Sequence, residues 1–308
     1  MKKSMAAMAV ACALTACGGN PFLDDGDDGD SSSIGDVTLP EGDETTASSS
    51  VERYETEGEA RDIVYDSSSD TISINNLPFD ADGVYDRDNV LPTLLKTPDG
   101  TYTLYENNNK TERRAYKALR GESPSGETSF TVVRTGDYIE YGFGGFVYAR
   151  NGGVNLPSSG QATFEGDYAG IRVFNGVGGL EYTTGDAILE VDFEDFDATD
   201  AVEGFIYNRQ IFNQAGTAIG TLPFLTLRTG SISDAGEIAG TLGSELIPAG
   251  ETELQAFESG QYYAVLSGNP ADEIAGIIVI TGDDPDDVLD GGFTVQETGG
   301  FIVNQTNP

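Results

Sequence analysis

The sequence predicts an all-β protein, in which a β-rich N-terminal domain precedes a meandering barrel or sandwich. Three observations support this fold class. Many short segments alternate apolar and polar side chains with a period of two. Gly, Asp and Asn bound these segments, as the turns of an antiparallel sheet require. Only residues 111–119 have a composition that favours a short helix. The expected domains are residues 56–155 and residues 156–308.

The N-terminus has the features of a bacterial lipoprotein signal peptide. Two lysines precede an apolar run over residues 5–14, which is shorter than the roughly 20 residues that a membrane-spanning helix needs. Residues 14–17 read Leu-Thr-Ala-Cys, the pattern of a lipobox. We therefore expect residues 1–16 to be removed and Cys17 to carry the lipid. Gly18 follows the cysteine where Asp would favour inner-membrane retention, so export to the outer membrane is expected.

Residues 17–55 are expected to form a disordered acidic tether of Asp, Gly and Ser. A run of aspartates at residues 24–30 is followed by serine clusters at 31–33 and 48–50. Few apolar residues are present to offset the entropy of ordering the chain. A flexible segment of this length spans on the order of 35 Å, which would hold a folded part clear of the lipid headgroups.

The first folded segment, residues 56–155, contains several short alternating stretches. A Pro-Asp-Gly turn at residues 98–100 separates two of them, and a Gly-Gly pair at 152–153 ends the segment. The predicted strands cover residues 71–74, 101–105, 130–133, 138–141 and 146–148.

The second segment has eight or nine strands in about 150 residues, with no helical pattern between them. Glycines at positions 166, 204 and 240 suit the bends of a small closed barrel. The predicted strands cover residues 160–173, 185–193, 202–207, 224–227, 236–242, 261–266, 274–281, 293–295 and 301–303.

The composition excludes several kinds of site. The sequence has no His and no Trp, its three Met lie in the signal, and its two Cys are Cys12 and Cys17. Sites for zinc, copper, iron–sulfur clusters or ordinary haem need ligands that the mature protein would lack. Ser-His-Asp and Cys-His catalysis are excluded for the same reason. We therefore expect no cofactor.

The net charge of −36 makes a nucleic-acid partner unfavourable and a cationic partner favourable. An acidic surface is also typical of proteins that stay soluble in a saline medium, where ions screen the repulsion. The charge alone therefore leaves the partner open.

Two acidic clusters are candidate sites. Oxygen ligands suit a hard cation, although a solvated loop explains the first cluster more simply; its weak metal candidates are Asp283, Asp284, Asp286, Asp287 and Asp290. The second cluster could be imagined as the carboxylate pair of a glycosidase, but close carboxylates are expected by chance in so acidic a protein; its members are Asp192, Glu194, Asp195 and Asp197. We expect no enzymatic activity.

An aromatic group surrounds the Gly-Gly pair at residues 144–145. If it were exposed it would form a binding surface; the expected alternative is ordinary sheet core. Its members are Tyr138, Tyr141, Phe143, Phe146 and Tyr148.

Three segments of the second domain carry a resemblance to a known family. Residues 160–166 (Gly-Gln-Ala-Thr-Phe-Glu-Gly), 185–193 and 268–276 are similar to barrel strands and a late turn of transferrin-binding-protein-B-like lipoproteins. Factor H-binding and haemophore-like lipoproteins share that barrel. The resemblance implies an eight-stranded antiparallel up-and-down β-barrel over residues 156–308, preceded by a "handle" domain over residues 56–155. The matching positions are structural, so no binding residue is carried over.

The resemblance implies an outer-membrane lipoprotein on the cell surface that binds a protein or small-molecule ligand such as a nutrient. Its expected partners are the membrane, through the lipid on Cys17, and this unidentified ligand; an outer-membrane transporter is a further candidate. The periplasmic face is the alternative location. The alternative function is a structural or adhesive envelope lipoprotein without a soluble ligand.

Overall fold

The computed structural model describes most of the residues that follow the predicted signal. The described residues are 33–34, 37–55, 58–78, 80, 82–88, 102–107, 116–136, 140–194, 201–247, 250–283 and 294–306, without the side chains of 33, 34, 229 and 283. They form strands joined by turns. No helix among these residues is long and apolar enough to cross a membrane.

The first sheet has eight antiparallel strands in the order β3-β10-β9-β8-β7-β6-β5-β4. A separate two-stranded ribbon precedes it, formed by β1 (Ser33–Ile34) and β2 (Val37–Thr38). The strands of the sheet are β3 (Val51–Tyr54), β4 (Arg61–Asp66), β5 (Thr71–Asn75), β6 (Val84–Arg87), β7 (Tyr102–Asn107), β8 (Tyr116–Glu122), β9 (Thr128–Thr135) and β10 (Gly144–Arg150).

The first sheet curls on itself around its own apolar core. The segment just before β4 returns to β10, where the Ala60 amide donates to the Gly144 carbonyl at 3.0 Å. Because side chains alternate along each strand, one face of the curled sheet supplies the core. That core includes Ala60, Ile72, Ile74, Leu77, Tyr85, Tyr105, Tyr116, Ala118 and Val133.

The second sheet closes into a barrel of eight strands, each paired with its neighbours in sequence. Closure is made by β12 pairing with β13 on one side and with β11 on the other, while β11 also pairs with the last strand. The strands are β11 (Gln161–Phe174), β12 (Val177–Asp192), β13 (Val202–Phe212), β15 (Leu225–Ile232), β16 (Glu237–Leu246), β17 (Gln255–Gly268), β18 (Ala271–Asp283) and β19 (Thr294–Gln305), with β14 (Ala218–Thr221) as an added edge strand on β13.

The barrel is filled by apolar side chains over much of its length. On β12, Leu189 and Val191 are buried while Glu190 between them is exposed, which follows from the two-residue period of a strand. Opposite them, Phe164 and Ala162 of β11 join the same cluster.

The first sheet packs against the barrel through β8, β9 and β10, which contact β11 and β17 to β19. Buried ions tie the two together: Arg53 donates to Glu237 at 2.7 Å, and Arg150 donates to the carbonyls of Ala235 and Leu266 at 2.8 Å. Each of these groups is almost fully buried, so separating the sheets would expose unpaired charges.

The predicted fold class, with a handle-like β domain followed by an eight-stranded up-and-down barrel, is confirmed. The predicted helix at residues 111–119 is wrong for residues 116–119, which lie in β8 and pair with β7 and β9. Sheet pairing outweighs the helix propensity of this segment. The tether prediction for residues 17–55 is wrong where Val51–Tyr54 pairs with β10. The domain boundaries near residues 55 and 155 stay predictions.

Candidate functional site

A network of buried charges lies inside the barrel and supports the wall around the candidate site. Arg209 of β13 reaches Glu258 of β17 at 2.7 Å and Glu297 of β19 at 3.0 Å. Glu297 also accepts hydrogen bonds from Tyr168 at 2.6 Å and Thr183 at 2.7 Å. Strands that are distant in sequence are thus joined across the lumen by charge-assisted hydrogen bonds.

The ionisation of this network follows from its geometry. Burial alone would raise the pKa of Glu297, but the positive charges of Arg209 and Arg172 hold that pKa below its ordinary value. Burial disfavours the charged form of Arg209, yet the carboxylates of Glu297 and Glu258 outweigh it and raise the pKa of the guanidinium. The pKa shifts of Glu297 and Arg209 thus both favour the charged forms. We call Arg172, Arg209, Glu258 and Glu297 the lumen network.

The outer wall of the barrel next to this network carries a cleft of about 1070 Å³. Strands β11, β12 and β13 contribute to its lining, together with the segment that joins β14 to β15 and with Tyr102 from the first sheet. The Tyr102 hydroxyl accepts from the Ile302 amide at 2.8 Å and donates to the Asp167 carbonyl. These bonds fix the first sheet at the border of the cleft.

A β-bulge shapes the wall of the cleft. Two residues of β13, Asn208 and Arg209, stand opposite the single residue Gly185 of β12. Asn208 has a φ of 54°, and its side chain donates to Asp186 at 2.5 Å. A side chain at Gly185 would meet the Tyr207 carbonyl. The bulge thus lets Arg209 enter the lumen network while Tyr207 and Asp186 line the cleft.

Aromatic side chains are exposed at and beside the cleft. Phe224 is 56% exposed, Phe205 is 45% exposed and Tyr207 is 36% exposed. Phe205 and Phe224 form an edge-to-face pair with their ring centroids 5.8 Å apart. Large aromatic groups that remain exposed together on a charged protein are typical of an interaction surface. We call Phe205, Tyr207 and Phe224 the aromatic patch.

The electrostatic character of the cleft is acidic. Asp167 and Asp186 belong to its lining. Partial burial raises the pKa of the Tyr207 hydroxyl, and the negative charges of Asp186 and Glu165 raise it further. The basic residue in the lining, Arg209, directs its charge to Glu258 and Glu297 inside the barrel. The cleft therefore combines carboxylates with aromatic faces.

Of the acidic residues predicted from the sequence, Asp192 and Glu194 have described side chains, and neither of them lines the cleft. Among the described residues, no group of three potential ligands is arranged to hold a metal ion. Asp192 accepts from Gln161 at 2.8 Å, and this hydrogen bond and one from the Glu194 amide lower its pKa. A lowered pKa is the opposite of what a general acid needs. The remaining predicted site residues lie outside the described part of the protein: Cys17, Asp195, Asp197, Asp284, Asp286, Asp287 and Asp290. For Asp283 the backbone is described and the side chain is not.

The aromatic group around residues 144–145 belongs to the contact between the first sheet and the barrel. Phe146 and Tyr148 are buried, and Phe146 stacks on Tyr263 of β17 with centroids 6.3 Å apart. Tyr141 hydrogen-bonds to Thr294 of β19 at 2.9 Å. The expectation of sheet core is thus confirmed for Phe146 and Tyr148, while Tyr138 lies outside the described residues.

The aromatic patch was not among the sites predicted from the sequence. One signal was present: residues 205–207 read Phe-Ile-Tyr, so both faces of β13 are apolar there. In a barrel one of these faces fills the lumen, and Ile206 is fully buried. Phe205 and Tyr207 therefore had to lie on the outside, either covered by another element or exposed.

Apart from the short ribbon β1–β2, the described residues form two β-sheets, and the second sheet contains a closed barrel. A search of solved structures finds the following matches. A double mutant of transferrin binding protein B from Haemophilus parasuis Hp5 matches with a TM-score of 0.40 and 11% identity, covering 80% of this chain and 43% of that one. A surface lipoprotein matches with a TM-score of 0.32 and 14% identity, covering 58% of this chain and 76% of that one.

A transferrin binding protein B mutant from Actinobacillus pleuropneumoniae H49 also matches, with a TM-score of 0.32, 14% identity, and coverage of 59% and 79%. The protein spans less than half of the first two transferrin binding protein B structures, 43% and 37%. No family model matches the sequence, and no curated protein matches it. The similarity concerns the fold.

Proposed function

We propose that this protein is a lipid-anchored outer-membrane lipoprotein that faces the cell exterior and binds a protein or small-molecule ligand at the barrel wall. The observation that carries the proposal is the aromatic patch beside the cleft. A barrel strand has no structural need for Phe205 and Tyr207 on its solvent side, since its apolar core is complete on the other side. Exposed aromatic groups at a cleft supply contact area at a small entropic cost.

The anchor and the location rest on the signal and lipobox of residues 1–17. They are tested by adding a protease to intact cells and then detecting the protein, with a soluble periplasmic protein as the control. Loss of the protein while the control survives is expected for the outer face. Protection of both until the outer membrane is opened would place the protein in the periplasm and remove the surface-receptor part of the proposal.

The binding site is tested with the full-length protein, immobilised and exposed to the growth medium. The variant Phe205→Ser with Phe224→Ser removes most of the aromatic patch. Leu254→Ser is the matched control, because Leu254 is 63% exposed and lies outside the cleft lining.

We expect one component of the medium to bind to the wild type and to the Leu254→Ser protein but not to the double variant. Equal retention by all three proteins, each with the wild-type melting temperature, would contradict a site at the aromatic patch. No retained component in any of them would favour a structural or adhesive envelope protein.

A further inference from the structure

We infer that the cleft takes a positively charged side chain, arginine or lysine, carried by an apolar peptide segment of a protein partner. This inference rests on the proposed function and names the chemistry of the ligand. It is drawn from the charge distribution of the barrel, the aromatic faces in the cleft and the size of the opening.

The charge distribution of the barrel favours a cation. Residues 156–308 contain three basic residues, Arg172, Arg209 and Arg228. Two of them are buried in the lumen network, where carboxylates neutralise them. Arg228 is exposed at a distance of 3.8 Å from Glu245. Arg228 is thus the one basic side chain among the many acidic ones that residues 156–308 contribute to the outer wall. The resulting electric field attracts cations and repels anions.

The cleft offers a cation two kinds of favourable contact. Asp186 and Asp167 supply negative charge in the lining, which also contains the aromatic rings of Tyr207 and Phe224. The face of an aromatic ring attracts a cation through its quadrupole. Asp186 and Tyr207 stand directly opposite each other on the paired strands β12 and β13, and both line the cleft, so the ring and the carboxylate border the same space. A guanidinium or ammonium group placed there would interact with both.

The size of the cleft favours a peptide over a free small cation. Its volume of about 1070 Å³ lies just above the range for small-molecule pockets, roughly 300–1,000 Å³. The Phe205–Phe224 pair extends the apolar surface beside the opening. One cation would leave most of this surface uncovered, whereas a segment with apolar residues on both sides of the cation would cover it.

The test measures binding of two synthetic peptides to the full-length protein by titration calorimetry. The first is acetyl-Gly-Leu-Arg-Leu-Gly-amide, and the second replaces arginine by citrulline, which has the same shape without the charge. Argininamide tests a free cation. The variant Asp186→Asn removes charge in the cleft, and Glu190→Gln removes an exposed charge from the same strand outside the lining.

We expect the arginine peptide to bind about tenfold more tightly than the citrulline peptide, with the preference weakening as salt rises. Asp186→Asn should abolish the preference and Glu190→Gln should keep it, with equal melting temperatures as the check on folding. Equal binding of both peptides, or binding of neither, would overturn the cationic inference. Argininamide binding as tightly as the peptide would overturn the choice of a peptide.

A failure of this test is distinguishable from a failure of the proposed function. If the peptides show no preference but the medium component is still lost from the Phe205→Ser, Phe224→Ser protein, the site stands and its ligand is not cationic. If that component is retained by the variant, the site itself is contradicted.

Discussion

Replacing Glu297 by Gln should test whether the lumen network holds the barrel together. The carboxylate of Glu297 is 1% exposed and lies 3.0 Å from the guanidinium of Arg209 and 3.6 Å from that of Arg172. Glutamine keeps the size and one acceptor oxygen, so Tyr168 and Thr183 retain a partner. The change therefore removes mainly the negative charge between two buried cations.

The magnitude follows from the burial of the ions. Removing one partner of a buried ion pair costs about 3–5 kcal/mol when the remaining charge is left without compensation. Here Arg209 keeps Glu258 at 2.7 Å and Arg172 keeps Glu181 at 2.6 Å. The expected cost is therefore that of a lost charged hydrogen bond, about 1.5–3 kcal/mol. For a folded region of this size, each kcal/mol lowers the melting temperature by about 2–4 °C. We therefore expect Glu297→Gln to melt about 3–12 °C below the wild type at pH 7. Circular dichroism at the strand signal, with urea titration for the free energy of unfolding, measures both quantities.

The stabilisation that the Glu297 charge provides should depend on pH in a definite direction. The pKa of folded Glu297 lies below its unfolded value, so its charge stabilises the fold above the unfolded pKa, and this contribution is lost as pH falls through the folded pKa. The difference in the free energy of unfolding between Glu297→Gln and the wild type should therefore decrease as the pH falls. Glu190→Gln is the control, since Glu190 is exposed and faces Glu203 across β12 and β13. A loss below about 1 kcal/mol for Glu297→Gln, the range of exposed pairs, would refute the reasoning.

Two further predictions concern the first sheet and its contact with the barrel. Hydrogen bonds from Arg87 lower the pKa of Asp70 to about 2. Asp70→Asn should therefore cost about 0.5–1 kcal/mol at pH 7 and clearly less at pH 2, where about half of the wild-type carboxylates are protonated. Equal costs at both pH values by urea titration would contradict this. A methyl group at Gly300 would clash with the Phe130 ring of the first sheet, so Gly300→Ala should destabilise the protein by about 1–3 kcal/mol. Gly220→Ala is its control, because a methyl there has an ordinary 3.7 Å contact; equal melting temperatures for both variants would refute the packing argument.

The strand pattern of the barrel was predictable because each strand has one buried and one solvent face. Strand β12 shows why: Leu189 and Val191 fill the lumen and Glu190 faces water, which the sequence displays as strict alternation. The segment at residues 116–119 shows the limit. Lys117, Ala118 and Leu119 are good helix formers, and only the pairing with the neighbouring strands β7 and β9 determines that the segment is extended.

The lumen network could not be predicted from the sequence, for a different reason. Arg172 and Arg209 look like solvent-facing residues of amphipathic strands, and charged side chains are rarely buried without partners. Arg209 pairs with Glu258 and Glu297 from strands that are distant in sequence, so its burial depends on barrel closure. Arg172 pairs with Glu181 of the adjacent strand β12 at 2.6 Å and with Glu297 of β19 at 3.6 Å.

The aromatic patch is the region of the barrel wall that the first sheet leaves uncovered. The outer residues of β11, such as Ala169 and Ile171, are apolar and buried, and β11 packs against β8 and β9. The outer residues Phe205 and Tyr207 of β13 are also apolar, yet they remain exposed. Apolar residues on the outside of a barrel wall need a partner to exclude water. For β11 that partner is the first sheet of the same protein, and for β13 we propose that it is the ligand.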